Sequence, residues 1–375
     1  MKNSNKLICV LVPVVSVLLA FAIGCAVMAF LGANPLTALQ SLWTGAFGNL
    51  RNVGTTLSRA TPLIFTGLCA CFAYRCGVFN LGGEGQFIIG SVACCYVATQ
   101  SGIEGLPAII LCLIAGALAG GLWALIPGLL KVYRGQNEMI ISIMLNYVAT
   151  LFMGVVYTNW LREGSVPQTM SVPDATKLSR LFGLRATTAF VIAIAAGLLV
   201  YYFLFYTSKG FQLRAVGLNM TAAEFNGFAV KRYILFSFVV SGVIAGLGGS
   251  AELLGTQYRL INGFASGYGF DGVAMALIAQ LHPLATILVA IFFAPLSGLF
   301  VNDYSVVPVV RVLYFLFALT MLTKCFITFK FCRETKQGQV RRAETKGVSI
   351  FHMVGEYRHL IPRLLQDKAV LKAVA

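Results

Sequence analysis

The sequence predicts an all-α, polytopic membrane protein of about ten transmembrane helices. Of its 375 residues, 58% are hydrophobic and only 11% are charged, whereas a soluble domain carries about 25% charged residues. Too few charged side chains are present to cover a water-exposed surface, and disorder is excluded because it requires low hydrophobicity. Several apolar stretches also reach the roughly 20 residues that a helix needs to cross the hydrocarbon core.

Ten stretches can be assigned as spans in chain order. The second is short and the third has a polar start, whereas the first is longer than a signal-peptide core and is kept as a span. Gly272–Asn302 is too long for one span, and Pro283 biases His282 away from helix, so we divide it there. The spans are Leu7–Leu31, Ala60–Tyr74, Val78–Thr99, Gly105–Leu130, Met139–Leu161, Ala186–Ser208, Tyr233–Ala251, two within Gly272–Asn302, and Tyr304–Thr323.

The net charge of +15 indicates an orientation for these spans. When the N-terminus is placed in the cytoplasm and the sides alternate, most Lys and Arg residues fall inside, as the positive-inside rule requires. Both termini are therefore expected in the cytoplasm. We divide the chain into a permease domain, residues 1–330, and a basic tail, residues 331–375. The tail either lies in solvent and enforces topology or contacts anionic lipid through an amphipathic face.

The first polar interruption at membrane depth is Phe79–Gln86, with the sequence FNLGGEGQ. Its three glycines break the helix, and broken helices inside a membrane persist only where they line a cavity or are buried in protein. We therefore select Asn80, Glu84 and Gln86 as candidates for a transport pathway. The alternative is an interfacial turn whose polar groups lie among lipid headgroups.

A second glycine-rich, acidic interruption is Gly267–Gly272, which supplies Asp271 as a further pathway candidate. One such break lies in each half of the chain. Paired breaks at corresponding positions indicate an internal inverted repeat with a binding region between its halves.

The fifth span opens with a polar stripe. Glu138, Ser142 and Asn146 are spaced four residues apart and therefore share one helical face. A polar face on an otherwise apolar helix is expected to face protein or water. The spacing leaves open whether these three residues contact substrate or a neighbouring helix.

Small residues and cysteines receive structural interpretations. Gly116-x-x-x-Gly120 and Gly242-x-x-x-Gly246 permit close helix approach, and we favour packing within the bundle over a dimer interface.

The ten cysteines lie mostly in apolar runs without the spacing of a metal site. They are interpreted as apolar fillers, and no disulfide or metal site is predicted.

The internal loop Lys209–Arg232 is expected to present a short helix to the cytoplasm. Thr221 and Glu224 match a capping box that would start this helix, and Gly227 can end it. The apolar side formed by Ala222, Ala223 and Phe225 suits a groove on another protein. An ordinary solvated loop helix is the alternative.

Four ordered stretches resemble the permease subunits of bacterial ABC importers for branched-chain amino acids, ribose-type sugars and nucleosides. They are Phe79–Gln86, Asn137–Tyr147, Arg214–Gly227 and Gly267–Pro283, and the resemblance covers roughly Leu36–Ser297, closest to the simple-sugar or nucleoside permeases. The sequence departs from the family pattern in the last span, which contains Arg311, and in its long C-terminal tail.

The resemblance implies a coupling helix that contacts a cytoplasmic ATPase subunit, formed by Arg214, Asn219, Thr221, Ala222, Glu224 and Gly227. It also implies a second permease, identical or paralogous, and an external solute-binding protein or lipoprotein. The location would be the bacterial inner membrane. ATP-Mg would bind the partner ATPase, because this chain has no G-x-x-x-x-G-K-[ST] loop and needs no cofactor.

Nucleoside import is the leading functional hypothesis, with no nucleic-acid partner. One alternative is the same machinery for ribose-like sugars or branched-chain amino acids. Others are an ion-coupled secondary transporter or channel, in which Glu84 and Asp271 would bind the ion, and a membrane scaffold. An enzyme is not expected, because the three histidines accompany no nucleophile and two of them lie in the tail.

Overall fold

The computed structural model describes residues 34–181, 183–265 and 267–302, together with Ala22, Cys25 and Ala29. The predicted spans Leu7–Leu31 and Tyr304–Thr323 lie outside this part of the chain, apart from those three residues. The basic tail and the end of the predicted permease domain lie outside it as well.

Eleven α-helices make up most of the described chain, which contains no sheet and only two isolated β-bridges. Single π-helical turns, Val156–Trp160 and Leu253–Gln257, extend α5 and α9. The helices are α1 Pro35–Phe47, α2 Leu50–Arg75, α3 Gly83–Gln100, α4 Leu106–Arg134, α5 Glu138–Val155, α6 Thr188–Tyr206, α7 Ser208–Leu218, α8 Met220–Phe225, α9 Val230–Glu252, α10 Tyr268–Ile278 and α11 Pro283–Asn302.

Within the described residues, five helices are long and apolar enough to cross a membrane, which supports a multi-pass membrane protein. They are α2, α4, α5 with its π turn, α6, and α9 with its π turn. Helix α10, with 11 residues, is shorter, and α11 is apolar as well. The predicted turn between them is present, and the left-handed backbone of Gln280 and Leu281 reverses the chain there.

Helix α2 is the central element of the bundle. Its residues 60–73 are all buried, and it packs against α9, α10, α11 and α6. The short span predicted at Ala60–Tyr74 is in fact the second part of a 26-residue helix. Asn49 begins that helix, because its side chain accepts a hydrogen bond from the Asn52 amide at 2.8 Å. Because the first turns of α2 are polar, the hydropathy pattern did not show that the helix begins before the predicted span.

Helices α3, α4 and α9 pack tightly through glycines. A Cβ atom at Gly246 would overlap the Gly116 carbonyl oxygen, and one at Gly90 would overlap the Gly246 backbone. Gly120 approaches the Gly242 carbonyl in the same way. The two small-residue motifs therefore face each other within one chain, which confirms packing inside the bundle.

Substitution of Gly246 by valine should lower the thermal stability of the detergent-solubilised protein. The new side chain would force the α4 and α9 backbones apart, and overpacking of this kind costs about 1–3 kcal/mol or more. Gly154→Ala is the matched control, because only the Tyr157 hydroxyl lies near its Cβ position, at 3.9 Å. Equal melting temperatures for Gly246→Val and the wild type would contradict the tight packing.

The segment expected as the loop Lys209–Arg232 is largely helical. Helix α7 covers its first part, and α9 begins at Val230. The predicted capping box is wrong, because Asn219 caps α8 by accepting the Ala222 amide at 3.0 Å. Thr221 lies inside the helix. Asn219 has the extended backbone that an N-cap requires, and its amide oxygen serves the purpose as well as a hydroxyl does.

Candidate functional site

The two glycine-rich breaks lie in direct contact. One carboxylate oxygen of Glu84 accepts a hydrogen bond from the Gly267 amide at 2.9 Å, and the other accepts one from the Gly269 amide at 2.5 Å. A Cβ atom at Gly269 would overlap the Glu84 backbone, so only glycine permits this approach. Glu84 thus joins the first turn of α3 to the first turn of α10.

This junction lies well inside the bundle, as its position along α2 indicates. Gly272, in the first turns of α10, packs on Thr66, whereas Leu281 just beyond α10 accepts a hydrogen bond from the Arg75 guanidinium at 2.8 Å. Thr66 and Arg75 are about 13 Å apart along a helix that rises 1.5 Å per residue. Helix α10 therefore begins at membrane depth and ends level with the C-terminus of α2.

Helices α3 and α10 leave the junction in opposite directions. Asn80, before α3, contacts Ser241 of α9, whereas the Phe87 carbonyl lies against Gly249, farther along α9. The Cys76 thiol, just beyond α2, lies 3.6 Å from the Tyr233 carbonyl near the start of α9, so helix α3 runs away from the end of α2 that α10 approaches. The positive ends of both helix dipoles converge on the Glu84 carboxylate, which stabilises its negative charge.

Asn80 and Gln86 form a reciprocal amide pair beside this junction. Each side-chain nitrogen donates to the other residue's oxygen at 3.0 Å. The Asn80 amide group also donates to the Ser241 hydroxyl at 2.8 Å and accepts the Gly82 amide at 3.0 Å. Both residues are almost completely buried. The two side chains hold the non-helical segment before α3 against α9.

The predicted polar stripe of α5 forms one buried face. Asn146 accepts the Gly85 amide at 2.8 Å and donates to the Leu81 carbonyl at 2.9 Å, so it holds both sides of the first break. Glu138 forms an ion pair with Lys131 of α4. The Cβ atom of Ser142 lies close to Gly82, and the buried Ser142 hydroxyl has no hydrogen-bond partner in the described residues.

Asp271 differs from the other pathway candidates. It lies in the first turn of α10 and is partly exposed, and within the described residues its carboxylate has no hydrogen bond or ion pair, although its backbone amide donates to the Gly267 carbonyl at 3.1 Å. The adjacent Phe270 is 48% exposed. Phe79, which opens the first break, is 45% exposed and packs on the Tyr74 ring at 4.9 Å. Each break therefore presents one exposed aromatic ring.

One buried acid escaped the sequence analysis. Glu252 ends α9 and is 3% exposed. It accepts a hydrogen bond from Gln257 at 3.2 Å, and the same Gln257 amide group donates to the Phe264 carbonyl at 3.0 Å. The pair anchors the segment that leads back into the bundle toward the second break. The sequence held one signal for Glu252: an acidic side chain at the end of a membrane span is energetically unfavourable unless protein or water surrounds it.

The segment between α5 and α6 packs on the segment after α9. The Thr169 amide donates to the Leu260 carbonyl at 3.1 Å, and the Val172 amide donates to the Tyr258 carbonyl at 2.8 Å. At its exposed surface, the Lys177 ammonium donates a hydrogen bond to Asp174 and holds the pKa of that carboxyl below its usual value. The two segments together cover one end of the bundle.

Helix α8 presents an apolar surface at the opposite end. Leu218, just before this helix, and Phe225, its last residue, are each 88% exposed. Among the predicted coupling residues, those on the exposed surface are Asn219, Thr221, Ala222, Glu224 and Gly227. Ala223 is buried, and the guanidinium of Arg214 lies over the Phe205 ring at 4.8 Å, away from this surface. The apolar part of the surface is thus Leu218 and Phe225.

A cavity of about 530 Å³ opens between α3 and α5. Its walls are mainly apolar, with the aromatic side chains of Tyr96, Phe152 and Trp160 at its opening. It does not touch the junction of the breaks, and none of the pathway candidates lines it.

The sequence of this chain is similar to those of known transport proteins. Residues 52–323 match the family described as branched-chain amino acid transport system / permease component. The guanosine ABC transporter permease NupP of Bacillus subtilis is 36% identical over 75% of this chain and 82% of its own. The nucleoside permease NupB of Lactococcus lactis is 32% identical, with 78% and 84% covered. The glucose permease TsgB13 of Haloferax volcanii is 31% identical, with 82% and 86% covered. No solved structure matches.

Proposed function

This chain belongs to the family of branched-chain amino acid transport system permease components, and on that premise we propose that it forms the transmembrane pathway of a nucleoside importer. It is a permease subunit of an ABC transporter, and ATP hydrolysis occurs on a separate ATPase. It is a multi-pass membrane protein. The family as a whole works with an ATPase and a solute-binding protein.

One observation carries the choice of cargo. The chain is 36% and 32% identical, over three quarters or more of its length, to permeases named for guanosine and for nucleosides. The main alternative is a sugar, favoured by the similarity to a glucose permease at 31% identity.

We extend the proposal to the architecture. The full protein would have ten spans related by an inverted repeat, with both termini in the cytoplasm of a bacterial cell. The opposite directions of α3 and α10 at the Glu84 junction support the repeat, because inverted halves place their broken helices in this way. A second permease, identical or paralogous, would enclose the pathway with this one.

The pathway would follow the face shared by the two breaks and α5. Asp271 supports this placement most strongly, because its partly exposed carboxylate lies in the first turn of an apolar helix and has no hydrogen bond or ion pair with any described residue. Asn80, Glu84, Gln86 and Asn146 would shape the wall of the pathway, since their hydrogen bonds fix the backbone of the breaks. Glu138 and Ser142 would position α5.

The ATPase would bind the surface formed by α8, Leu218 and Phe225. Two large apolar side chains exposed at 88% beside a capped helix suit a groove on a partner protein. The ion-coupled alternative is less favoured, because both Glu84 oxygens accept backbone amides, leaving this acid poorly placed as a cation ligand.

Uptake in a deletion strain tests the cargo. We expect loss of ATP-dependent uptake of labelled nucleosides, restored by the intact gene, with ribose and leucine uptake unchanged. ATP depletion of the wild type serves as the energy control. Loss of ribose or leucine uptake alone would assign another cargo to the same machinery. Nucleoside uptake that persists in the deletion strain at the wild-type rate would contradict the proposal.

A further inference from the structure

The exposed side of α10 combines an acid with an aromatic ring. Phe270 and Asp271 are adjacent in its first turn, and the same side continues to Ala274 and Leu277, which are also accessible. The opposite side, with Gly272, packs on α2. The helix dipole stabilises an acid in a first turn, but the part of the chain that the structure describes offers the Asp271 carboxylate no hydrogen-bond partner.

The acid determines what this side of α10 can face. A carboxylate exposed to acyl chains is strongly unfavourable, so acids within a membrane face a water-filled path, a ligand or a protein partner. Phe270 precedes Asp271 in the first turn, and its ring is accessible on the neighbouring part of the helix surface, at 48% exposure. The junction at Glu84 also brings the other break alongside, with Phe79 accessible on it.

A nucleoside fits these groups chemically. Its base has a flat π face that stacks on aromatic rings whatever the base is. An ionised carboxylate only accepts hydrogen bonds and can accept two at once. The Watson–Crick edge of guanine offers two adjacent donors, N1–H and the exocyclic amino group, whereas adenine offers an acceptor at N1 instead of a donor.

From this combination, and resting on the proposed nucleoside import, we propose that Phe270 and Asp271 bind the base of the cargo during passage. Phe270 stacks on the base, and Asp271 accepts hydrogen bonds from a guanine-type edge. Phe79 offers the next aromatic surface on the neighbouring break. This chain thus contributes its own selectivity to transport, in addition to that of the external binding protein.

Transport rates in cells that carry the complete importer test the assignment. With guanosine or adenosine supplied at saturating concentration, Asp271→Asn should lower the ratio of guanosine to adenosine uptake about 5- to 100-fold, because it removes a two-acceptor contact. Phe270→Ala should lower uptake of both nucleosides about 5- to 100-fold. Phe270→Tyr should restore uptake, because it keeps the ring.

Two features separate selectivity from structural damage. The external binding protein is identical in all strains, so a changed ratio reports on the permease. Phe292→Ala removes an aromatic ring that is 57% exposed on α11 without an acid beside it, and it should leave the ratio unchanged. If Asp271→Asn fails to accumulate, Asp271→Glu keeps the acceptors and should retain the guanosine preference.

Each outcome decides the inference. An unchanged guanosine-to-adenosine ratio in an accumulating Asp271→Asn variant would overturn the role of Asp271. So would a loss of preference in an accumulating Asp271→Glu variant. If the wild type takes up adenosine in preference to guanosine, Asp271 does not recognise the edge of a guanine-type base. That result would leave the proposal of nucleoside import intact. Absence of all nucleoside uptake by the wild type would instead refute the proposed function itself.

Discussion

Glu84→Ala is expected to destabilise the protein strongly and to abolish transport. The substitution removes the acceptor for the Gly267 and Gly269 amides, which lie at the start of α10 at membrane depth. A hydrogen bond to a charged group contributes about 1.5–3 kcal/mol, and a buried donor without a partner adds its own desolvation penalty. The carboxylate is only 9% exposed, so little water is available to replace it as an acceptor.

Thermal unfolding in detergent measures this effect through the buried thiols. Cys69 and Cys94 are inaccessible in the folded protein, so a thiol-reactive dye reports their exposure. We expect Glu84→Ala to melt about 5 °C or more below the wild type. Glu84→Gln should lie between the two, because it keeps one acceptor oxygen.

Glu104→Ala provides the control, since it removes an exposed acid from the connection between α3 and α4. Its melting temperature should equal that of the wild type. If Glu84→Ala melts within about 1 °C of the wild type, Glu84 does not hold the two breaks together. Normal accumulation and stability with lost uptake would instead make Glu84 a direct contributor to the pathway.

Phe225→Asp is expected to abolish ATP-driven uptake while leaving the permease folded. Phe225, the last residue of α8, is 88% exposed, so a charge there disturbs little internal packing. On the proposed ATPase surface, the same charge would be buried without a partner. Loss of a central aromatic contact costs 2 kcal/mol or more in many interfaces, which is about 30-fold in affinity.

Copurification of the ATPase with the tagged permease measures this effect directly. We expect Phe225→Asp to lose the ATPase, to lose uptake, and to keep the wild-type melting temperature. Met170→Asp is the matched control, because Met170 is 48% exposed in the segment between α5 and α6, at the other end of the bundle. Retention of a fully active ATPase by Phe225→Asp would exclude Phe225 from the interface.

Local sequence features predicted much of the fold because their energetic causes are local. The long apolar runs at α4, α5, α6 and α9 were identified correctly, since a spanning helix satisfies its own backbone hydrogen bonds. The turn before Pro283 followed from proline sterics. The periodicity of α5 correctly placed Glu138, Ser142 and Asn146 on one face.

Other features lay beyond the local pattern. The first turns of α2 are polar, so hydropathy did not show that the helix begins at Leu50. Asn219 and Thr221 are both suitable N-caps, and only the backbone conformation decided between them. Glu252 lies one residue beyond the predicted span, where a sequence cannot distinguish a buried acid from an exposed one.

The sequence by itself determined that this protein is helical and embedded in a membrane, and it identified the two glycine-rich interruptions, Phe79–Gln86 and Gly267–Gly272. Those properties depend on composition and on neighbours along the chain. Only the tertiary structure decided that the two breaks meet, that Glu84 bonds the amides of the second break, and that the Asp271 carboxylate has no hydrogen bond or ion pair within the described residues. Contacts between residues more than 180 positions apart depend on how whole helices pack, and no local pattern encodes that.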